Sequence, residues 1–262
     1  MVVMTVYAFI SILFVKASAE EISLLEEKCN AGNFASCDAL GCEYAKGEII
    51  QTDFKKASIY FEKGCNGDIG SACGHLGYLY TRGEGVALNI SKGTELYQKS
   101  CNLKFYEGCV NLAVSYLIGG GVERNITRAM DLLREACNHE ESNGCMLLGN
   151  AYFNGQGVEK DLATANDFYA KACDMENADA CANLGLSYAQ GEGIEQNYEK
   201  AYEYFTKGCD LGAGEGCFNA GVMYANGWGI EQDNNISKAY YSKACYLGYQ
   251  LGCDEYENMK VE

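Results

Sequence analysis

One pattern of apolar and polar positions returns every 36 residues along the chain. Counted from a cysteine as position 1, position 12 is Leu40, Leu76, Leu112, Leu148, Leu184 and Ala220. Position 16 is tyrosine in all six units: Tyr44, Tyr80, Tyr116, Tyr152, Tyr188 and Tyr224. Residues four apart share one face of a helix, so the pair predicts a first helix with a leucine–tyrosine stripe. That helix is expected to end at position 19, where Gly47, Gly83, Gly119, Gly155, Gly191 and Gly227 supply the left-handed residue that closes a helix. A Val or Ile then plugs the loop (Val86, Val122, Val158, Ile194, Ile230). A second helix follows, with a small residue at position 29 and large apolar or aromatic residues at 32 and 33, such as Phe168-Tyr169 and Tyr204-Phe205. Position 13 is glycine in five units and Ala113 in the third. Glycine inside a helix costs about 1 kcal/mol against alanine, which predicts the backbone of a neighbouring helix close by.

A period of this length means an array of small helical units. The expected fold is all-α: a right-handed α/α solenoid. Six full repeats are expected at 29–64, 65–100, 101–136, 137–172, 173–208 and 209–244, between an N-terminal helical cap at 20–28 and a C-terminal capping helix at 245–262.

Fourteen of the fifteen cysteines follow the same period as pairs eight residues apart. They are Cys29 with Cys37, Cys65 with Cys73, Cys101 with Cys109, Cys137 with Cys145, Cys173 with Cys181, Cys209 with Cys217, and Cys245 with Cys253. Structural zinc favours shorter C-x2-4-C spacings, often with histidine. The chain has only His75 and His139, so the pairs read as disulfides and no metal or cofactor is expected. Eight residues of unbroken helix would hold two Cα atoms about 12 Å apart, whereas a disulfide needs them within about 7 Å. The chain must therefore reverse between the two cysteines, at the junction of successive units. Position 8, next to the second cysteine, is always small (Ser36, Ala72, Gly108, Gly144, Ala180, Gly216, Gly252), as a crowded crossing requires. Cys42 is left over and reads as a buried, inert thiol beside the core.

Disulfide-rich chains belong to oxidising compartments. Residues 2–15 are almost wholly apolar and Ala17-Ser18-Ala19 resembles a cleavage signal, so residues 1–19 are expected to be a signal peptide. The protein is expected to be secreted or periplasmic, and not membrane-bound after cleavage. A net charge of −16 repels phosphate backbones, which argues against nucleic acid as a partner.

A second stripe on the first helices, at positions 11, 15 and 18, is polar. It carries His75 and Arg82, Asn111 and Ser115, Asn154, Asn183 with Ser187 and Gln190, and Asn219 with Asn226. First helices line the inner surface of helical solenoids, and an amide offers both a donor and an acceptor to an extended ligand. His75 and Arg82 together would suit a carboxylate. Trp228 is expected to pack on the terminal helix. Three sequons begin at Asn89, Asn125 and Asn235, at the start of second helices, where they read either as N-caps or as glycosylation sites.

The compound motif LG..Y..G.GV..D...A..Y..KAC, matched best by residues 147–173 and 183–209, resembles the Sel1-like repeat, a relative of the tetratricopeptide repeat. With a cysteine pair in every unit, the chain looks like the secreted Helicobacter cysteine-rich protein family. That resemblance implies a penicillin-binding protein with weak β-lactamase activity. No serine here has lysine three positions on and no K-T-G is present, so no serine β-lactamase constellation and no catalytic residue is identified. The primary expectation is a binding scaffold for a peptide, a peptidoglycan fragment or a host protein; the alternative is β-lactam binding and hydrolysis.

Overall fold

The computed structural model describes residues 20–47 and 50–259. The expected signal peptide, residues 1–19, lies outside them. Residues 20–30 form helix α1. There follow α2 (Phe34–Lys46), α3 (Phe54–Asn66), α4 (Gly70–Arg82), α5 (Ile90–Asn102), α6 (Tyr106–Ile118), α7 (Ile126–Asn138), α8 (Ser142–Asn154), α9 (Leu162–Asp174), α10 (Ala178–Gln190), α11 (Tyr198–Asp210), α12 (Gly214–Asn226), α13 (Asn234–Tyr246) and α14 (Gln250–Asn258). No strand is present among the described residues, and none of the described helices is long and apolar enough to cross a membrane.

The helices fall into two compact units, residues 1–129 and 130–262, divided within α7. In the first, α2 packs on α3 and α4 on α5, while α4 also touches α2 and α6. In the second, α8 packs on α9, α10 on α11 and α12 on α13, with α12 touching α10 and α14. Within each unit the helices thus pair, and first helices touch at α2–α4, α4–α6, α10–α12 and α12–α14.

The ends of the helices follow from their residues. Gly47, Gly83, Gly119, Gly155, Gly191 and Gly227 all have positive φ. Six residues further on, the loop closes: the N–H of position 25 donates to the carbonyl of the position-16 tyrosine, as in Asp53 to Tyr44 at 2.8 Å and Asn197 to Tyr188 at 2.9 Å. The same residue then caps the second helix. Asn89 Oδ1 accepts from the Lys92 N–H at 3.0 Å, Asn125 from Arg128 at 2.9 Å and Asp161 from Thr164 at 3.1 Å. Two sequon asparagines, Asn89 and Asn125, are therefore helix N-caps. Asn235 is not: it lies inside α13, two repeat positions later, and its N–H donates to Asp233, which is the cap there. The tyrosine at position 16 stacks on the ring at position 32, at 5.6 Å for Tyr44–Tyr60 and 5.5 Å for Tyr188–Tyr204.

The glycine at position 13 is explained differently from the expectation. What comes close is mainly a ring from position 33 of the paired helix. A Cβ on Gly41 would lie 2.5 Å from the Phe61 ring, on Gly149 2.5 Å from Tyr169, and on Gly185 2.7 Å from Phe205. Only at Gly77 does a backbone atom, the Gly93 carbonyl oxygen at 2.9 Å, come as close as the ring. The sequence obeys the same rule where glycine is absent: the third repeat has Ala113 at position 13 and Leu133, not a ring, at position 33. Gly185→Ala is therefore expected to destabilise by about 1–2 kcal/mol, because overpacking outweighs alanine's helix propensity. Adding Phe205→Leu should recover about 1 kcal/mol as a coupling term. Urea midpoints of the two single variants and the double variant measure it; strict additivity would contradict the ring as the cause.

Seven disulfides close at the junctions, with Cα–Cα distances from 4.5 Å at Cys209–Cys217 to 4.8 Å at Cys29–Cys37. The first cysteine ends one helix and the second lies in the first turn of the next. Between them the backbone turns through a left-handed residue at position 4. That residue is glycine at Gly32, Gly212 and Gly248, but Asp68, Lys104, Glu140 and Glu176 elsewhere.

Candidate functional site

Two concavities in the second unit collect residues of the polar stripe. The larger, about 480 Å³, is lined by Leu186, Ala189, Gln190, Gln196, Tyr198, Phe205, Asn219, Val222, Met223 and Trp228. The smaller, about 220 Å³, is lined by Asn150, Phe153, Asn154, Tyr169, Asn183, Leu186, Ser187 and Glu192. Leu186 lines both, so the two lie side by side along α10.

The larger concavity is built by α10 and α12, with Phe205 and Tyr198 of α11 as one wall. Leu186 and Val222 share repeat position 14 and contribute apolar lining to this concavity. Trp228 does not pack on the terminal helix as expected. It stacks on Tyr198 at 5.8 Å and stays 45% exposed. The loop places it there because Gly229, at φ +72, lets the backbone pass against Tyr198, 2.6 Å from where its Cβ would be. Gln196 is fixed by donating to the Ala189 carbonyl at 2.7 Å. No charged residue lines this concavity. In the smaller one the Tyr169 hydroxyl donates to Asn150 Oδ1 at 2.8 Å, and burial pushes its pKa up to about 12.

The stripe residues divide. Among the described residues, no side-chain hydrogen bond is made by Asn111, Asn183, Gln190 or Asn219, and Asn183, Gln190 and Asn219 face the groove. Asn154 and Asn226 are exposed, but each donates back to the carbonyl four residues earlier, Asn150 and Val222, at 2.9 and 2.8 Å. Ser115 is buried and donates to the Asn111 carbonyl at 3.0 Å.

His75 and Arg82 do not form a common carboxylate clamp. Arg82 Nε donates to Glu84 at 2.6 Å and its guanidinium lies over the Tyr78 ring. His75 Nδ1 lies 3.0 Å from Asp38 Oδ1. Burial opposes its charge, but the hydrogen bonds to Asp38 and Cys42 prevail and push its pKa up to about 10. Cys42 is the free cysteine and is half-buried, not sealed in the core: its Sγ lies 3.7 Å from His75 Nδ1. No sequence signal marks this contact, because the partners are 33 residues apart in different repeats. His139 is exposed.

Fold and groove define a class: an array of helix pairs, stapled at each junction and carrying its variable side chains on the stacked first helices. The chain belongs to the Sel1 repeat family, whose model matches residues 35–68, 70–105, 107–140, 142–177, 178–212 and 214–249. Among solved structures it is similar to a protective antigen of uropathogenic Escherichia coli with an SLR fold, 27% identical, covering 88% of this chain and 50% of that one, with a TM-score of 0.72. The chain thus spans about half the length of that relative. A Sel1 repeat protein from Oxalobacter formigenes is 22% identical over 87% of this chain and 96% of its own, with a TM-score of 0.74. Helicobacter pylori cysteine rich protein B is 32% identical over 49% of this chain and 96% of its own, with a TM-score of 0.42. No curated protein matches the chain.

Proposed function

We propose that this protein is a secreted or periplasmic binding scaffold that holds an extended, uncharged peptide segment in the groove of its second unit. The observation that carries the reading is the lining of the larger concavity, which is apolar and amide side chains without a charge on a chain of net charge −16. Such a surface suits a polypeptide backbone, whose N–H and C=O groups match the free amides of Gln190 and Asn219 there and of Asn183 in the adjoining concavity. An apolar side chain of the ligand fits between Leu186, Val222 and Trp228. The peptide stem of peptidoglycan and an exposed segment of a host protein both offer this chemistry. The seven disulfides support an oxidising compartment.

Trp228 is the only tryptophan, so its fluorescence reports groove occupancy directly. Titration with a peptide library and with muropeptide fragments is expected to shift its emission for the ligand that fits. Asn183→Ala with Asn219→Ala should weaken that ligand by roughly fivefold per amide, from about 1 kcal/mol each. Trp228→Ala, followed by calorimetry, should cost about thirtyfold or more, as a central aromatic anchor does. Unchanged affinity in both variants, with the helical circular dichroism intact, would remove the groove from the function. Neither concavity is lined by a lysine or histidine to activate Ser187, so a chromogenic β-lactam is expected to remain intact in the same preparation.

A further inference from the structure

The first unit holds a second cluster, which the peptide groove does not use. Asp38 and Cys42 are one helical turn apart on α2, so their side chains leave the same face. His75 reaches them from α4, the first helix of the next repeat. Its Nδ1 is 3.0 Å from Asp38 Oδ1 and 3.7 Å from Cys42 Sγ, and the three donor atoms lie within 4.8 Å of one another. One ring nitrogen thus faces both an oxygen and a sulfur. A single N–H or lone pair satisfies one of them at a time, whereas a cation centred between the three satisfies all. Tetrahedral zinc, with bonds of about 2.0–2.1 Å to nitrogen and oxygen and about 2.3 Å to sulfur, sets N···O near 3.3 Å and N···S near 3.6 Å. The two separations from Nδ1 agree within a few tenths of an ångström; the Asp38 oxygen and Cys42 Sγ, which lie within 4.8 Å of each other, would close to about 3.6 Å around the ion.

The surroundings hold these donors in place. The Ser71 hydroxyl donates to Asp38 Oδ2, which leaves Oδ1 to face His75. The His75 ring lies between Phe61, at 4.9 Å, and Phe105, at 6.2 Å. Outer partners of this kind orient metal ligands and tune their affinity. The set is particular to this junction. The corresponding positions are Gly74, Tyr78 and Asn111 one repeat later, and Ala182, Leu186 and Asn219 in the second unit.

We propose that Asp38, Cys42 and His75 form a binding site for one divalent cation of the zinc class, with three protein ligands and the fourth position open to water. A mixed nitrogen, oxygen and sulfur set favours such a borderline-soft ion over magnesium or calcium, which take oxygen ligands. Binding displaces the thiol proton, and any proton on Nδ1, to solvent.

The test uses the oxidised protein, with its seven disulfides intact, stripped by chelator. Zinc alone is added in equilibrium dialysis and in thermal melts, and cobalt serves as the spectroscopic probe. The expected result is one zinc retained per chain, a raised Tm and a sulfur-to-cobalt charge-transfer band in the near ultraviolet. Cys42→Ser and His75→Gln keep every surface carboxylate, so adventitious zinc survives in them while the site's zinc is weakened at least about tenfold. His139→Gln should bind as the unaltered protein does. Equal zinc affinity in the unaltered protein and Cys42→Ser, or a cobalt spectrum without the sulfur band, would overturn the site. A second measurement needs no variant: zinc, but not magnesium, should slow alkylation of Cys42. An alkylation rate indifferent to zinc would also overturn it.

Discussion

Reduction of the seven disulfides is expected to unfold the helical array, not merely to loosen it. The core is not one mass but a series of small clusters, each shared by neighbouring helices. Ala57, Phe61, Leu76 and Leu79 make one, and Ala201, Phe205, Ala220 and Met223 another. In such an array each repeat relies on its interface with the next. Each disulfide closes a short loop with a sequence separation of eight, which on the chain-entropy model stabilises by about 2.5 kcal/mol. Seven such terms together exceed the roughly 5–15 kcal/mol that holds an ordinary domain. The turn inside each loop adds to the dependence. In four of the seven loops a residue other than glycine (Asp68, Lys104, Glu140, Glu176) is held at positive φ, a conformation that costs such residues of order 1 kcal/mol or more. Far-ultraviolet circular dichroism with and without reductant is the measurement, with thiol titration reaching all fifteen cysteines. A helical signal and melting temperature unchanged at full reduction would show that packing alone suffices.

Gly216→Val is expected to lower stability by about 3 kcal/mol or more, the largest effect of any single substitution considered. Position 8 is where the first turn of one helix crosses the end of the preceding one. A Cβ on Gly216 would lie 2.8 Å from the Phe205 carbonyl oxygen, 2.9 Å from the Cys209 nitrogen and 3.2 Å from the Gly208 carbonyl carbon. All three are backbone atoms, so no rotamer change relieves them, and valine adds two further methyl groups. Overpacking of this kind costs roughly 1–3 kcal/mol where side chains can give way; here α11 and α12 must separate. That movement also strains Cys209–Cys217, whose Cα atoms are 4.5 Å apart. The urea midpoint should fall, and mass spectrometry of unreduced peptides should find a fraction of Cys209 and Cys217 as free thiols. A variant with an unchanged midpoint and full oxidation would show that the crossing has slack.

Much of the fold was readable because its signals are local. A glycine that ends a helix acts on the residues beside it, and a capping Asn or Asp binds an N–H two or three residues on. The cysteine pairs, too, are near neighbours in the chain. One failure had a distant partner. Position 13 is small because of a ring 20 residues later, as with Gly185 and Phe205, not because of a bare backbone. The reversal at position 4 was not marked, since its left-handed residue is glycine in only three of seven loops. Asn235 shares the sequon of Asn89 and Asn125, but its register within α13 gives the cap to Asp233.

The candidate sites show the same division. Periodicity identified the stripe that bears Asn183, Gln190 and Asn219, because side chains 36 residues apart repeat one position on one helix face. It did not show that Leu186 and Val222 complete the groove between them, or that Trp228 closes it against Tyr198. Nor did it join Cys42 and Asp38 to His75. The sequence by itself determined the helices, their ends, the staples between them and the face that varies, since each of these is set by residues within one turn or one short loop. Only the tertiary structure decided which side chains meet across neighbouring repeats, because that depends on how far each helix rotates and slides when rings, glycines and small residues pack at the crossing.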